Sequence, residues 1–104
     1  MTAVRIAIMR FVDPHQPGWV EGMFRDAWGK DWTFVEKVPV VALADLDETG
    51  PFPQPGVIAC RVIREWRDAD GREVVTIDTE EPWGVESTNH LTRFDVSAEQ
   101  LIQI

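Results

Sequence analysis

The sequence has one cysteine and no long apolar run, and these two features limit the cellular compartment and the class of protein that we expect. It also has no tyrosine. Cys60 has no second cysteine with which to form an internal disulfide, so nothing points to an oxidising compartment. No segment approaches the ~20 apolar residues of a membrane span. The alternating residues at the start of the chain favour a strand over a signal peptide. We therefore expect a cytoplasmic protein that forms one β-rich domain over residues 1–104.

Basic residues are also scarce: 10 stand against 18 acidic residues, which gives a net charge of −8 at pH 7. Duplex nucleic acid and anionic membranes are not expected partners, because both attract basic surfaces. Long-range attraction would instead favour a basic protein partner. The alternative interpretation is that the charge serves only solubility.

The residue types that carry catalysis or hold metals are few and scattered. His15 and His90 lie in separate predicted loops, and their spacing does not bring them together as metal ligands. Asp45-Leu-Asp-Glu departs from the order of a calcium-binding loop. Cys60 lies among apolar residues, where a thiol behaves as a small hydrophobe. We predict no catalytic residue, no metal site and no cofactor, and we favour a non-enzymatic protein over an enzyme.

Apolar and polar residues alternate in several short segments that are separated by turn residues. This pattern predicts strands over residues 3–12, 19–26, 30–37, 57–66, 72–79 and 92–96. Pro39 indicates an edge strand, or the start of a new strand, over residues 38–43, and three prolines favour an extended loop within residues 44–56. The fold expected is mainly β, a small antiparallel barrel or sandwich of six to seven strands.

Two of the predicted β-hairpins have similar turns, which we call the first turn (Ala27–Gly29) and the second turn (Ala69–Gly71). Phe24-Arg-Asp-Ala-Trp-Gly-Lys-Asp is similar to Trp66-Arg-Asp-Ala-Asp-Gly-Arg-Glu. A three-residue loop that ends in glycine is typical of a type I turn closed by a G1 bulge, and it fixes the register. The expected pairs are Phe24 with Trp32, Arg25 with Asp31, Trp66 with Val74, and Arg67 with Glu73. Internal duplication and independent use of one turn chemistry both explain the likeness.

The end of the sequence predicts a short helical turn. Ser97 and Gln100 stand three positions apart, as in a capping box, and only four residues follow. So short a helical segment needs packing to persist. We expect Leu101, Ile102 and Ile104 to supply it by covering one end of the barrel.

Aromatic side chains in loops and at strand ends, together with nearby carboxylates, are the candidate binding residues. The set is Trp19, Trp28, Asp45, Asp47, Phe52 and Trp83. Tryptophan anchors beside charge are typical of a protein-binding rim, although these aromatics could also fold back over the core. We therefore predict a protein-binding module that neutralises a basic protein partner.

Two alternatives to the protein-binding module stay open. A small-ligand or carbohydrate-binding β-barrel would use tryptophan rings as stacking platforms. A carboxylate-dependent enzyme would gather acidic side chains in a pocket and raise the pKa of one of them. An edge near Pro39–Leu43 would also allow a homodimer to form by strand pairing.

Overall fold

The computed structural model describes residues 1–104 as eight strands with two short helical turns. In chain order the elements are β1 (Thr2–Asp13), β2 (Trp19–Arg25), β3 (Asp31–Lys37), the helical turn α1 (Val38–Val41), β4 (Gln54–Ala59), β5 (Arg61–Arg67), β6 (Glu73–Asp78), β7 (Arg93–Val96), a 3-10 turn (Ala98–Gln100) and β8 (Leu101–Gln103). The strands form two antiparallel sheets that do not close into a barrel. The mainly-β prediction is confirmed.

The first sheet is built around β1, which is long enough to pair with three strands. Its strand order is β3-β2-β1-β4, and β8 also pairs with β1. Ala3 lies opposite Ala59 of β4 and opposite Ile102 of β8, whereas β2 pairs with β1 only from Ala7 onward. One edge of β1 therefore holds β4, and the other edge holds β2 and β8 one after the other.

The second sheet has the order β5-β6-β7, and the chain enters it by a break at Cys60. The sequence predicts a single strand over residues 57–66, whereas the structure divides this segment into β4 of the first sheet and β5 of the second. The Cys60 amide donates to the Thr2 carbonyl oxygen at 2.9 Å, which anchors the crossing point. The chain thus changes sheet at Cys60.

The core lies between the two sheets, and Phe94 of β7 is central to it. Its ring lies 5.3 Å from Phe24 and 5.7 Å from Phe34, and both contacts are edge-to-face. Phe24 and Phe34 stack on each other at 5.5 Å. Because Phe24 and Phe34 belong to the first sheet, this aromatic cluster joins the two sheets.

Both predicted hairpin registers are confirmed. Trp32 faces Phe24 and Val74 faces Trp66, as the turn chemistry required. In the first turn, Asp26 Oδ1 accepts hydrogen bonds from the amides of Trp28 and Lys30 at 2.8 and 2.9 Å. Asp68 repeats this arrangement in the second turn, where it accepts from the amides of Asp70 and Arg72 at 3.0 and 2.8 Å. Gly29 and Gly71 have φ values of 81° and 78°, the left-handed conformation that a G1 bulge requires.

The prediction of a strand at residues 38–43 is wrong. Residues Val38–Val41 form a single helical turn, and Ala42 then makes one isolated bridge to Gly56. Proline fits the first turn of a helix because the N–H it lacks has no partner there. The Pro39–Leu43 segment therefore has no strand edge through which two copies could pair.

The predicted helical turn at the end of the chain is confirmed as a 3-10 turn, in which the Ser97 amide donates to Gln100 Oε1 at 2.9 Å. The segment after this turn differs from the prediction. Leu101–Gln103 then extend as β8 and do not cover a barrel end. The reason is that β2 leaves the edge of β1 open at Thr2–Val4, where Leu101–Gln103 can pair with it. This pairing gives hydrogen-bond partners to backbone N–H and C=O groups of both segments, whereas a helical turn would leave the edge of β1 without partners.

Candidate functional site

The six candidate residues do not converge on one site. Trp19 is half-buried at the start of β2, where it faces Lys37 of β3 and lies 5.6 Å from the lysine ammonium. Trp28 lies on the second sheet, and Trp83 lines a separate groove. The three tryptophans therefore belong to different parts of the surface.

Trp28 joins the first turn to the second sheet. Its indole N–H donates to Asp95 Oδ2 at 3.1 Å, and its ring lies 6.1 Å from that of Trp66. The Arg72 guanidinium stands 5.0 Å from the Trp28 ring and also donates to the Ala27 carbonyl oxygen at 3.0 Å. These contacts explain why the side chain of Trp28, although it lies at the tip of a turn, is only 48% exposed.

Asp95 is the centre of this contact. Its second carboxylate oxygen accepts from the Thr76 hydroxyl at 2.6 Å, and that hydroxyl accepts from the Trp66 indole N–H at 3.0 Å. The Ala27 amide donates to the Asp95 carbonyl oxygen at 2.8 Å. Asp95 thus holds the first turn directly and is linked to Trp66 of the second hairpin through the Thr76 hydroxyl.

Asp47 and Phe52 have structural roles in the proline-rich loop. Asp47 Oδ1 accepts from the hydroxyl and the amide of Thr49 at 2.6 and 2.9 Å, and these bonds hold the pKa of Asp47 below its usual range. The Phe52 ring packs edge-to-face on Phe11 at 6.3 Å. Asp45 instead lines an open groove of about 600 Å³ between the loop after β1 and the segment after α1.

A groove lined almost wholly by apolar residues lies beside Trp83, and we call it the Trp83 groove. Its volume is about 460 Å³, and it is lined by Pro39, Val40, Ala42, Leu43, Val57, Trp83 and Ile104. Trp83 is 60% exposed, Ile104 52% and Leu43 51%. Three large apolar side chains that share one groove are thus each more than half open to solvent.

The loop that carries Trp83 is firmly anchored on both sides of the tryptophan. The buried Thr79 hydroxyl donates to the Val85 carbonyl oxygen at 2.6 Å, and Val85 itself is fully buried. The Gly84 amide donates to the Glu80 carbonyl oxygen at 2.7 Å. Because its neighbours are fixed, Trp83 is held outward without a polar contact of its own.

Acidic side chains flank the Trp83 groove in sequence. Asp45 follows Leu43 by two residues and lines the neighbouring groove, and Glu80 precedes Trp83 by three. Neither belongs to an ion pair of the molecule, whereas Glu81 pairs with Arg61 at 3.2 Å. Two carboxylates without a cationic partner thus stand close in sequence to the groove, and neither of them lines it.

Of the six candidate residues, Trp83 lines this groove and Asp45 lines the neighbouring one, whereas the aliphatic wall is not predicted from the sequence. Val40 and Leu43 fall within the strand predicted at residues 38–43, but Val40 belongs to the helical turn and both residues line the groove with Trp83. The sequence contains one signal of this aliphatic wall, which is Leu43, an apolar residue that lies between a proline-containing apolar run and an acidic loop.

The groups considered for metal binding and nucleophilic chemistry lie apart. His15 Nδ1 lies 2.9 Å from the Asp13 carboxylate, and His90 Nδ1 lies 2.8 Å from that of Glu86, each within its own loop. No group of three or more potential ligands is positioned to hold a metal ion. Burial raises the pKa of the Cys60 thiol to about 11, so the reactive thiolate is scarce at neutral pH.

The structure establishes the fold class, a mainly-β chain with two antiparallel sheets. Neither of its helical turns has the length and apolar character needed to span a bilayer. No protein-family model matches the chain, and comparisons with curated proteins and with solved structures find no match.

Proposed function

We propose that this protein is a non-enzymatic binding module that docks a basic protein partner on the Trp83 groove. The observation that carries the proposal is the joint exposure of Trp83, Leu43 and Ile104 along one apolar groove. Large apolar side chains that are exposed together mark interaction sites more often than isolated ones do. Tryptophan is also enriched among the residues that dominate interface energetics.

The partner chemistry follows from the charges. The net charge of −8 draws basic proteins from a distance. The carboxylates of Asp45 and Glu80, which lie two and three residues from groove residues in sequence, would meet lysine or arginine of a partner beside the groove. The expected ligand surface is an aliphatic or aromatic side chain with basic residues on either side. Steering of this kind weakens as salt screens the charges.

The structure supports the two alternatives less well. A carbohydrate platform needs a free aromatic face with polar groups beside it. Arg72 stands over Trp28 and Arg64 stands 4.8 Å from the centre of Trp66, while the exposed Trp83 lines a groove whose other residues are all apolar. A carboxylate enzyme needs an acid with a raised pKa. The displaced carboxyl pKa values are all lowered, those of Asp13, Asp31, Asp47 and Asp68, each by hydrogen bonds from neighbouring groups.

The test uses synthetic peptides with one apolar anchor residue flanked by lysine and arginine, and control peptides flanked by glutamate. We expect calorimetry at low salt to detect binding of the basic peptides, with affinity that falls as salt rises. Trp83→Ala should weaken binding by about thirtyfold, because truncation of a central anchor costs roughly 2 kcal/mol.

The matched control is a leucine outside the groove. Leu43→Ala removes a groove wall, whereas Leu91→Ala removes a similarly exposed leucine that does not line it. Weaker binding for Leu43→Ala alone supports the proposal. Equal effects of the two substitutions, or no binding of basic peptides at any salt concentration, would refute it.

A further inference from the structure

The outer edge of β5 is the longest strand edge in the molecule without a partner. β5 has seven residues, pairs only with β6, and is exposed at five of its positions. The remaining two, Ile63 and Trp66, are half-buried. No backbone hydrogen bond from another part of the chain reaches residues 61–67.

Other edges of the two sheets are partly covered by the chain itself. On β3, the Thr33 carbonyl oxygen accepts from the Thr88 amide at 2.8 Å, and the two threonine hydroxyls also bond at 2.8 Å. On β7, the Asp95 carbonyl oxygen accepts from the Ala27 amide. An uncovered edge is a template for pairing with another chain.

The register of the second hairpin determines which backbone groups face the open edge. The Asp68 amide donates to the Arg72 carbonyl oxygen at 3.0 Å, so this pair is hydrogen-bonded. Hydrogen-bonded and non-bonded pairs alternate along an antiparallel ladder. Trp66 therefore bonds to β6, and the amides and carbonyls of Glu65 and Arg67 point outward.

Two-fold symmetry leaves three ways for a second copy to pair antiparallel with these outward groups. Pairing centred on Glu65 places Glu65 opposite Glu65, and pairing centred on Arg67 places Arg67 opposite Arg67. Both bring like charges directly together, which is unfavourable. Pairing centred on Trp66 places Glu65 of each copy opposite Arg67 of the other, and so creates two opposite-charge pairs.

We propose that two copies of this chain dimerise antiparallel through β5, with Trp66 at the two-fold axis. Of the three registers that pair Glu65 and Arg67 of the two copies, only this one sets opposite charges against each other, which is what distinguishes the edge from one whose charges simply prevent pairing. The bulge between Val62 and Arg64 interrupts the regular ladder on the other side of Glu65. Trp66 meets Trp66 of the second copy at a non-hydrogen-bonded position, where side chains approach most closely. The dimer would join two three-stranded sheets into one continuous sheet of six.

Analytical ultracentrifugation over a wide range of protein concentration tests the dimer. We expect the mass to rise from that of one chain to that of two as concentration increases. Glu65→Arg replaces both attractive pairs with Arg–Arg repulsion and should weaken the dimer by at least about tenfold. Glu65 is exposed and forms no ion pair within its own chain, so we expect the substitution to keep the fold, and circular dichroism of the variant checks this.

The rescue variant combines Glu65→Arg with Arg67→Glu and Glu73→Arg. Glu73 is included because Arg67 pairs with it at 2.9 Å within the hairpin, and reversing both keeps that ion pair. Restored dimerisation supports the register, and Glu36→Arg on β3 should leave the dimer unchanged. A native chain that stays monomeric at every concentration, or a rescue variant as weak as Glu65→Arg alone, would overturn the proposal.

Discussion

Replacing Trp28 with alanine removes the side chain by which the first turn is held on the second sheet. Three contacts are lost together: the hydrogen bond to Asp95, the packing against Trp66 and the approach of the Arg72 guanidinium. The side chain is 48% exposed, so each contact is weaker than it would be in the core. The loss of folding stability is therefore the sum of three modest contributions.

An aromatic pair contributes about 1 kcal/mol beyond its buried area, and an exposed cation–π contact about 0.5 kcal/mol. The indole N–H bond to a solvent-exposed carboxylate contributes about 1 kcal/mol. Trp28→Ala should thus lower the free energy of unfolding by roughly 2–3 kcal/mol. In a domain of this length, that lowers Tm by about 10 °C.

Urea unfolding followed by circular dichroism measures this change. Trp28→Phe keeps an aromatic ring but removes the donor, so it should cost only about 1 kcal/mol. Trp83→Ala is the control, because Trp83 makes no polar contact and its loss should cost under about 0.5 kcal/mol. If Trp28→Ala costs no more than Trp83→Ala, the docking of the first turn does not stabilise the fold.

Three further predictions concern buried and capped groups. Cys60 should resist a thiol reagent in the folded state and react once urea unfolds the chain, because burial raises its pKa to about 11; fast reaction without urea would contradict this. Gly56→Ala should destabilise the fold by about 1–3 kcal/mol in urea unfolding, since the added Cβ would lie 2.8 Å from the Val41 carbonyl oxygen. Gly29→Ala meets no neighbouring atom and should cost only the backbone strain of about 1 kcal/mol. Hydrogen bonds from the Arg72 amide and side chain lower the pKa of Asp68. The stability that the Asp68 carboxylate adds to the fold is therefore complete above about pH 4 and is lost as the pH falls further. Asp68→Asn should reduce that acid-dependent loss in unfolding titrations.

The hairpin registers could be predicted because their causes are local. An aspartate, a glycine and a three-residue spacing determine the turn, and the cross-strand pairs follow from it. The local signals at Val38–Val41 conflict, since Pro39 suits the first turn of a helix while the other three residues are valines that favour strands. Burial of Val41 in the core overrides that preference.

The candidate site was less predictable for a similar reason. Trp28 bonds to Asp95, which is 67 residues further along the chain, and no turn signal carries that information. The wall of the Trp83 groove combines α1, β4 and the loop after β6 with the end of the chain. Side chains from such distant segments become neighbours only once the topology is known.

The two turns share their hydrogen bonds but differ at the central position, where the first has Trp28 and the second has Asp70. The tryptophan can reach across to Asp95, and in doing so it seats the Ala27 amide against the edge of β7. Asp70 makes no equivalent contact, and the second turn reaches the first only through Arg72, whose guanidinium donates to the Ala27 carbonyl oxygen at 3.0 Å. The tryptophan at the central position of the first turn thus explains why that turn, and not the second, covers a sheet edge.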